Sequence, residues 1–143
     1  MVRTGFSYAE EGPEADLTVD AWGGSLGEAF GNAARALFNA ITPIEGVRAQ
    51  TSRAIEAEGD DLGSLLFNFL DELLYIHDVD LLVFSEFDVE VDEEGLRVRA
   101  ECRGERFDIG RHEQGIAIKA VTFHDMRIRR ADGGWAVRVV FDT

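Results

Sequence analysis

One cysteine, two prolines and one lysine are all that 143 residues contain of these three types. A single thiol, Cys102, excludes an intrachain disulfide and a cysteine-rich zinc cluster. No apolar run reaches the length that spans a bilayer, and the opening MVRTGFSYAEEG has no apolar core of the kind a signal peptide needs. These absences point to a cytoplasmic protein. Basic residues are also scarce, 14 against 28 acidic ones, for a net charge of −14. A surface of that sign repels phosphates, so direct binding to nucleic acid is not expected. It suits cations, basic protein partners or simply a salty cytoplasm.

The length predicts a single domain over 1–143, long enough to bury a core. The strongest pattern lies at 60–78, DDLGSLLFNFLDELLYIHD. Leu62, Leu65, Leu66, Phe69, Leu70, Leu73 and Leu74 recur at three- and four-residue steps, which is one helix face. Asp60 or Asp61 caps its first turn. The breadth of the apolar face predicts a helix at the centre of the domain, covered over most of its circumference. A second helix opens at the capping-box pattern Ser25–Leu26–Gly27–Glu28, carries the stripe Leu26, Phe30, Ala33, Leu37 and Ile41, and stops at Pro43.

Elsewhere the period is two. Strands are expected at 5–9, 16–22, 46–58, 82–91, 96–103, 116–130 and 135–141, with turns at 92–95, at Gly104 and at 132–134, and a polar loop at 106–115. The result is an α+β fold, two helices packed on mostly antiparallel sheet.

Two acidic constellations could carry chemistry. Asp142 sits beside the terminal carboxylate of Thr143 at the end of a strand, and such neighbours repel unless a cation lies between them. Asp16, at the start of a strand, is a reasonable third ligand. Oxygen-only ligation favours calcium or magnesium over zinc. The plainer reading is three solvated acids. The second constellation is Asp71, Glu72, His77, Asp78, His124 and Asp125. His124 alternates in phase with Ile118, Ala120, Met126 and Ile128, which suggests a hydrogen-bonded core histidine; a His/Asp acid–base pair in a small hydrolase is the alternative. No nucleophile elbow or phosphate loop accompanies it. Cys102 shares its phase with Leu96, Val98 and Ala100 and reads as a buried small residue. The arginines at 127, 129, 130 and 138 read first as salt-bridge partners for the acidic excess.

Several stretches together resemble the archease family: Ala15 to Gly23 (ADLTVDAWG), Ser25 to Ala34 (SLGEAFGNAA), Leu65 to Asp78, Phe84 to Phe87 (FSEF), Lys119 to Met126 (KAVTFHDM) and the closing Val140 to Thr143 (VFDT). Their order and spacing cover nearly the whole chain. The resemblance implies an activator that is not itself an enzyme. Its partner would be an RtcB-type RNA-splicing ligase of tRNA splicing, whose guanylylation and multiple turnover it promotes. It also implies a bound divalent cation, usually calcium, held by an aspartate in an early H-T-A-D motif and by the closing D-I pair. Those positions here are Asp16, Asp142 and Thr143. Some family members are also linked to a tRNA methyltransferase as chaperone-like modulators. Two departures stand out. The early motif reads Pro13–Glu14–Ala15–Asp16, without its histidine and threonine, and threonine replaces the final isoleucine. Glu14 adds a carboxylate beside the motif.

Overall fold

A computed structural model describes residues 2–9 and 16–143. The loop expected at 10–15, with Pro13 and Glu14, lies outside the described residues. The chain runs β1 (Gly5–Ala9), β2 (Leu17–Gly23), α1 (Leu26–Ile41), a 3₁₀ turn (Ile44–Gly46), β3 (Thr51–Glu58), α2 (Leu62–Asp80), β4 (Leu82–Asp92), β5 (Arg97–Arg106), β6 (Ala120–Ala131) and β7 (Gly134–Asp142). Two antiparallel sheets result, one ordered β1-β2-β7-β6 and the other β3-β5-β4. This is the expected α+β architecture. No helix among the described residues is long and apolar enough to cross a membrane.

Both helices touch both sheets. α1 packs on β1, β2 and β7 and also on β4, while α2 packs on β6 and β3. The central position belongs to α1, contrary to the expectation from leucine content. Twelve of its sixteen residues are buried, against seven of nineteen in α2. The reason is size. Gly27, Ala29, Gly31, Ala33, Ala34 and Ala36 let backbones approach α1 closely. A Cβ on Gly27 would collide with the Val89 carbonyl oxygen of β4, so no side chain fits there. α2 buries Leu65, Leu66, Phe69, Leu70, Leu73, Leu74 and Ile76 but leaves Tyr75 and Val79 to solvent. Each large buried side chain contributes roughly 1.5–3 kcal/mol, so α2 still supplies a large share of the core from one face. Phe30 of α1 stacks on Phe69 of α2 with centroids 6.1 Å apart.

The caps follow the local sequence. Ser25 Oγ accepts from the Glu28 amide (3.1 Å), whereas the Glu28 carboxylate reaches the Gly24 amide instead of closing the box on Ser25. Asp61 and Ser64 form a complete reciprocal box at the start of α2. At the other end of α1, the free carbonyls of Ala40 and Ile41 accept from the Ile116 and Gly115 amides. That use of residues 115–116 is why the expected strand begins only at Ala120.

Three further boundaries differ from expectation. The strand expected at 46–58 starts at Thr51, because the 3₁₀ turn occupies Ile44–Gly46. β5 starts at Arg97, since Leu96 adopts a left-handed conformation (φ 51°) at the end of the turn. Gly104 is not a turn. It lies inside β5, where a Cβ would collide with the Val83 carbonyl of β4 beside a register shift. The expected turn at 132–134 is present, with Asp132 (φ 52°) and Gly133 (φ 80°) left-handed.

Candidate metal centre

The β2–β7 ladder sets the geometry of the candidate site. Leu17 pairs with Phe141, the outermost pair of the ladder. Asp16 stands just before β2 and Asp142 is the last residue of β7, each one residue beyond that pair, so both stand at the same rim. Both aspartates are exposed and Thr143 is half-buried. The backbone of Asp142 is fixed: it pairs with Ala120, and its carbonyl accepts from the Lys119 amide at 2.8 Å. Neither aspartate side chain has a hydrogen-bond or ion-pair partner among the described residues. No three histidine, cysteine or acidic side chains among the described residues form a ready metal cage. The donor set on offer is thus two carboxylates with the last residue beside them.

Four residues further in along both strands, an acid is compensated. Arg138 of β7 makes a bidentate pair with Asp20 of β2 (Nε–Oδ1 2.8 Å, Nη2–Oδ2 3.0 Å) and also reaches Asp125 at 3.2 Å. Arg127 adds a bond of 2.7 Å to Asp125. Hydrogen bonds from Arg127 and then Arg138 hold the Asp125 carboxyl below the ordinary carboxylate range. Arg130 lies over the Trp135 ring (4.7 Å). The expected salt-bridging role of Arg127 and Arg138 is therefore present.

The second acidic constellation does not converge. His77 Nδ1 lies 2.9 Å from the Leu82 carbonyl, so it donates there, and its ring meets Phe38 edge-on. Asp71, Glu72 and Asp78 lie on α2, and all three are exposed. His124 is exposed, which corrects its expected place in the core. The cause is a bulge in β6: Thr122 pairs with Val140 and Arg127 with Arg138, so residues 123–126 stand opposite the single Val139. Extra residues break the period-two phase on which a core position depends. Asp125 sits in that bulge with φ 52°, its carboxylate turned to the arginines. Cys102 is fully buried as expected, and burial pushes its thiol up to about 12.

One polar cluster had no sequence signal. Glu105 is buried at the end of β5 and accepts from Arg111, from the Arg48 amide (2.7 Å) and from His112 Nε2 (3.0 Å). His112 Nδ1 accepts from the Asp108 amide (2.8 Å), which leaves Nε2–H to face Glu105. Burial alone would raise the Glu105 carboxyl; its bonds to Arg111, Arg48 and His112 outweigh that and bring it down to about 2. Gly104 and Glu105 are both buried, so the alternation of β5 fails where a pattern would be needed to reveal the cluster.

An α+β domain with two antiparallel sheets bridged by two helices, and with a pair of uncompensated aspartates at the rim of the β2–β7 ladder, is thus defined. The chain matches the model of the archease protein family over residues 6–143, and it belongs to that family. It is 44% identical over 131 residues to protein archease of Pyrococcus abyssi, covering 90% of this chain and 92% of that one. With protein archease of Methanothermobacter thermautotrophicus it shares 42% over 133 residues, covering 89% and 94%. The solution structure of a Methanobacterium thermoautotrophicum protein superposes with a TM-score of 0.84 at 39% identity, over 97% of this chain and 99% of that one. A Thermotoga maritima crystal structure, described as an archease and possible chaperone, shares the fold at a TM-score of 0.59 and 20% identity, covering 94% of each chain.

Proposed function

We propose that this protein activates an RtcB-type RNA-splicing ligase in the cytoplasm, promoting its guanylylation and multiple turnover, and has no catalytic centre of its own. The observation that carries the reading is a pair of carboxylates, Asp16 and Asp142, without a partner among the described residues, at one rim of a hydrogen-bonded ladder. Like charges held side by side are unfavourable unless a cation compensates them. Fixed backbone and free side chains are what a metal site needs before its ion arrives. The residues fit a hard divalent cation, calcium first, because every donor on offer is an oxygen. Asp16, Asp142 and Thr143 would hold it. When bound, the ion supplies positive charge and open coordination positions to an acidic or phosphate group of the partner. The Asp20–Arg138–Asp125 network ties β2, β7 and the β6 bulge together four residues further in. Threonine in place of isoleucine at Thr143 leaves the backbone carbonyl oxygen unchanged.

The test is guanylylation of an RtcB-type ligase from the same source with GTP and Mn²⁺. The ligase is assayed alone, with this protein, and with its Asp16→Asn and Asp142→Asn variants. Stimulation by the wild type and its loss in both variants is the expected result. Equal stimulation by the variants would remove the cation from the mechanism. A wild type that does not stimulate would overturn the ligase reading and leave the chaperone-like modulation of a tRNA methyltransferase to be assayed next. The hydrolase alternative draws no support from the positions of His124 and Asp125, since the latter is engaged by two arginines.

A further inference from the structure

The bulge in β6 does something that neither the ladder nor the rim site requires. Between Thr122 and Arg127 the strand leaves its partner, and its first bulged residue, Phe123, stacks face to face on Phe67 of α2. The ring centroids are 4.1 Å apart and the planes differ by 9°. Phe123 remains 57% exposed. His124 follows it at the surface, and its ring makes no hydrogen bond among the described residues. β6 is the edge of its sheet, and a bulge alone would protect such an edge from pairing with another chain. Edge protection does not call for a large aromatic ring in water.

The bulge is also held rigidly. Asp125 is tied to Arg127 and Arg138, the Thr122 hydroxyl donates to the Val140 carbonyl (2.8 Å), and Phe123 rests on the helix. A non-glycine residue at positive φ, Asp125, sits in its middle. Bulges and left-handed residues held this way often serve to aim a side chain. Exposed aromatic rings fixed before binding lose little entropy on contact, which is why they dominate interface energetics.

The surroundings define the partner. Phe67 has Gly63 and Asp71 one helical turn away on either side. A Cβ at Gly63 would touch both Asp61 Oδ1 and Met126 Sδ, so the α2 cap and the bulge meet there. Asp71 carries no ion pair among the described residues. Asp71 lies one turn from Phe67, and Arg127 at the end of the bulge is neutralised by Asp125, so the ring pair on a chain of net charge −14 is complementary to a positive and partly apolar surface. It disfavours RNA, whose phosphates these acids would repel.

We infer that Phe123, stacked on Phe67 with Asp71 one helical turn away, is the anchor of a docking surface for a basic protein segment in which arginine or lysine neighbours an aliphatic or aromatic side chain. The inference rests on the ligase reading above, because that ligase is taken to carry the segment. The same strand connects the two features, with Ala120 pairing to Asp142 at the rim and Phe123 three residues further along.

The experiment measures the dissociation constant between the RtcB-type ligase and the full-length protein by biolayer interferometry at low and high salt. Wild type is compared with Phe123→Ala and with Asp71→Lys. Both substitutions fall at exposed positions. Calcium-dependent thermal unfolding of each variant reports that fold and rim are intact. The expected result is binding weakened on the order of tenfold in Phe123→Ala and less in Asp71→Lys, with wild-type affinity falling as salt rises. If the wild type binds and stimulates the ligase while both variants match it, the docking assignment is overturned and the ligase reading stands. If the wild type neither binds nor stimulates, the ligase reading falls, and the surface as its docking site falls with it. Binding of a tRNA transcript that Phe123→Ala abolishes would overturn the choice of a protein partner.

Discussion

Two carboxylate sites in this molecule face opposite conditions. Glu105 is buried and surrounded by donors: Arg111, His112 and the Arg48 amide all point at it. Asp16 and Asp142 are exposed and meet no donor among the described residues. The first arrangement ties the loop after β5 to the segment before β3, and its acid is already satisfied. The second has no compensating partner among the described residues, at a rim where the Asp142 backbone is held in the sheet. An acid that stabilises the fold has its partners within the chain. An acid kept for a ligand must find its partner outside it. Burial and hydrogen bonding separate the two sites where residue type does not.

Removing the buried acid is the strongest challenge to this contrast. Glu105→Ala should destabilise the protein by about 3 kcal/mol, since Arg111 is left without its counter-charge and His112 and the Arg48 amide without their acceptor. Urea denaturation in the presence of a chelator would measure it. A loss below about 0.5 kcal/mol would place Glu105 with the surface acids. The opposite test adds the ion. With calcium at roughly a hundredfold excess over its dissociation constant, wild type should gain about 2.7 kcal/mol, and Asp142→Asn should gain almost nothing. Calorimetry with and without the ion reads both.

Acid titration separates the two sites further. The folded Glu105 carboxyl, at about 2, lies below its ordinary value of 4.5. A depressed folded value gives stability that is complete above the ordinary value and is lost as pH falls toward the folded one. Wild type should therefore lose stability between about pH 4.5 and 2, and Glu105→Gln should show a shallower slope across that window. Thermal midpoints across the window would check it. The smallest effect belongs to the rim. Without metal, Asp142→Asn should change stability by less than about 0.5 kcal/mol, and in the stabilising direction, because it removes one of two neighbouring negative charges. Chelator-treated protein in the same urea titration gives the value.

Part of the candidate site is legible in the amino-acid pattern. Asp16 and Asp142 lie at strand ends whose alternation is plain, Leu17, Val19 and Ala21 on one strand and Val137, Val139 and Phe141 on the other, so their place at a strand end follows from period two alone. That the two ends share one rim does not. It depends on β2 pairing with β7 across more than a hundred residues, a choice of neighbour that no local pattern encodes. His124 shows the converse failure. Its apparent phase runs through a stretch where the strand takes in extra residues, and the side chain emerges on the surface.

Local periodicity, capping chemistry and composition suffice for the two helices and their caps, the seven strands, the buried state of Cys102 and the acidic character of the chain. Long-range packing settles which helix is central, where β6 bulges, which acids find cations, and that two distant aspartates share one rim. Small side chains such as Ala29, Ala33 and Ala34 permit a close approach between backbones but do not say which backbone closes the distance. That distance is set at α1 by glycines and alanines that contribute little hydrophobicity of their own, and it becomes visible only when β4 is packed against them.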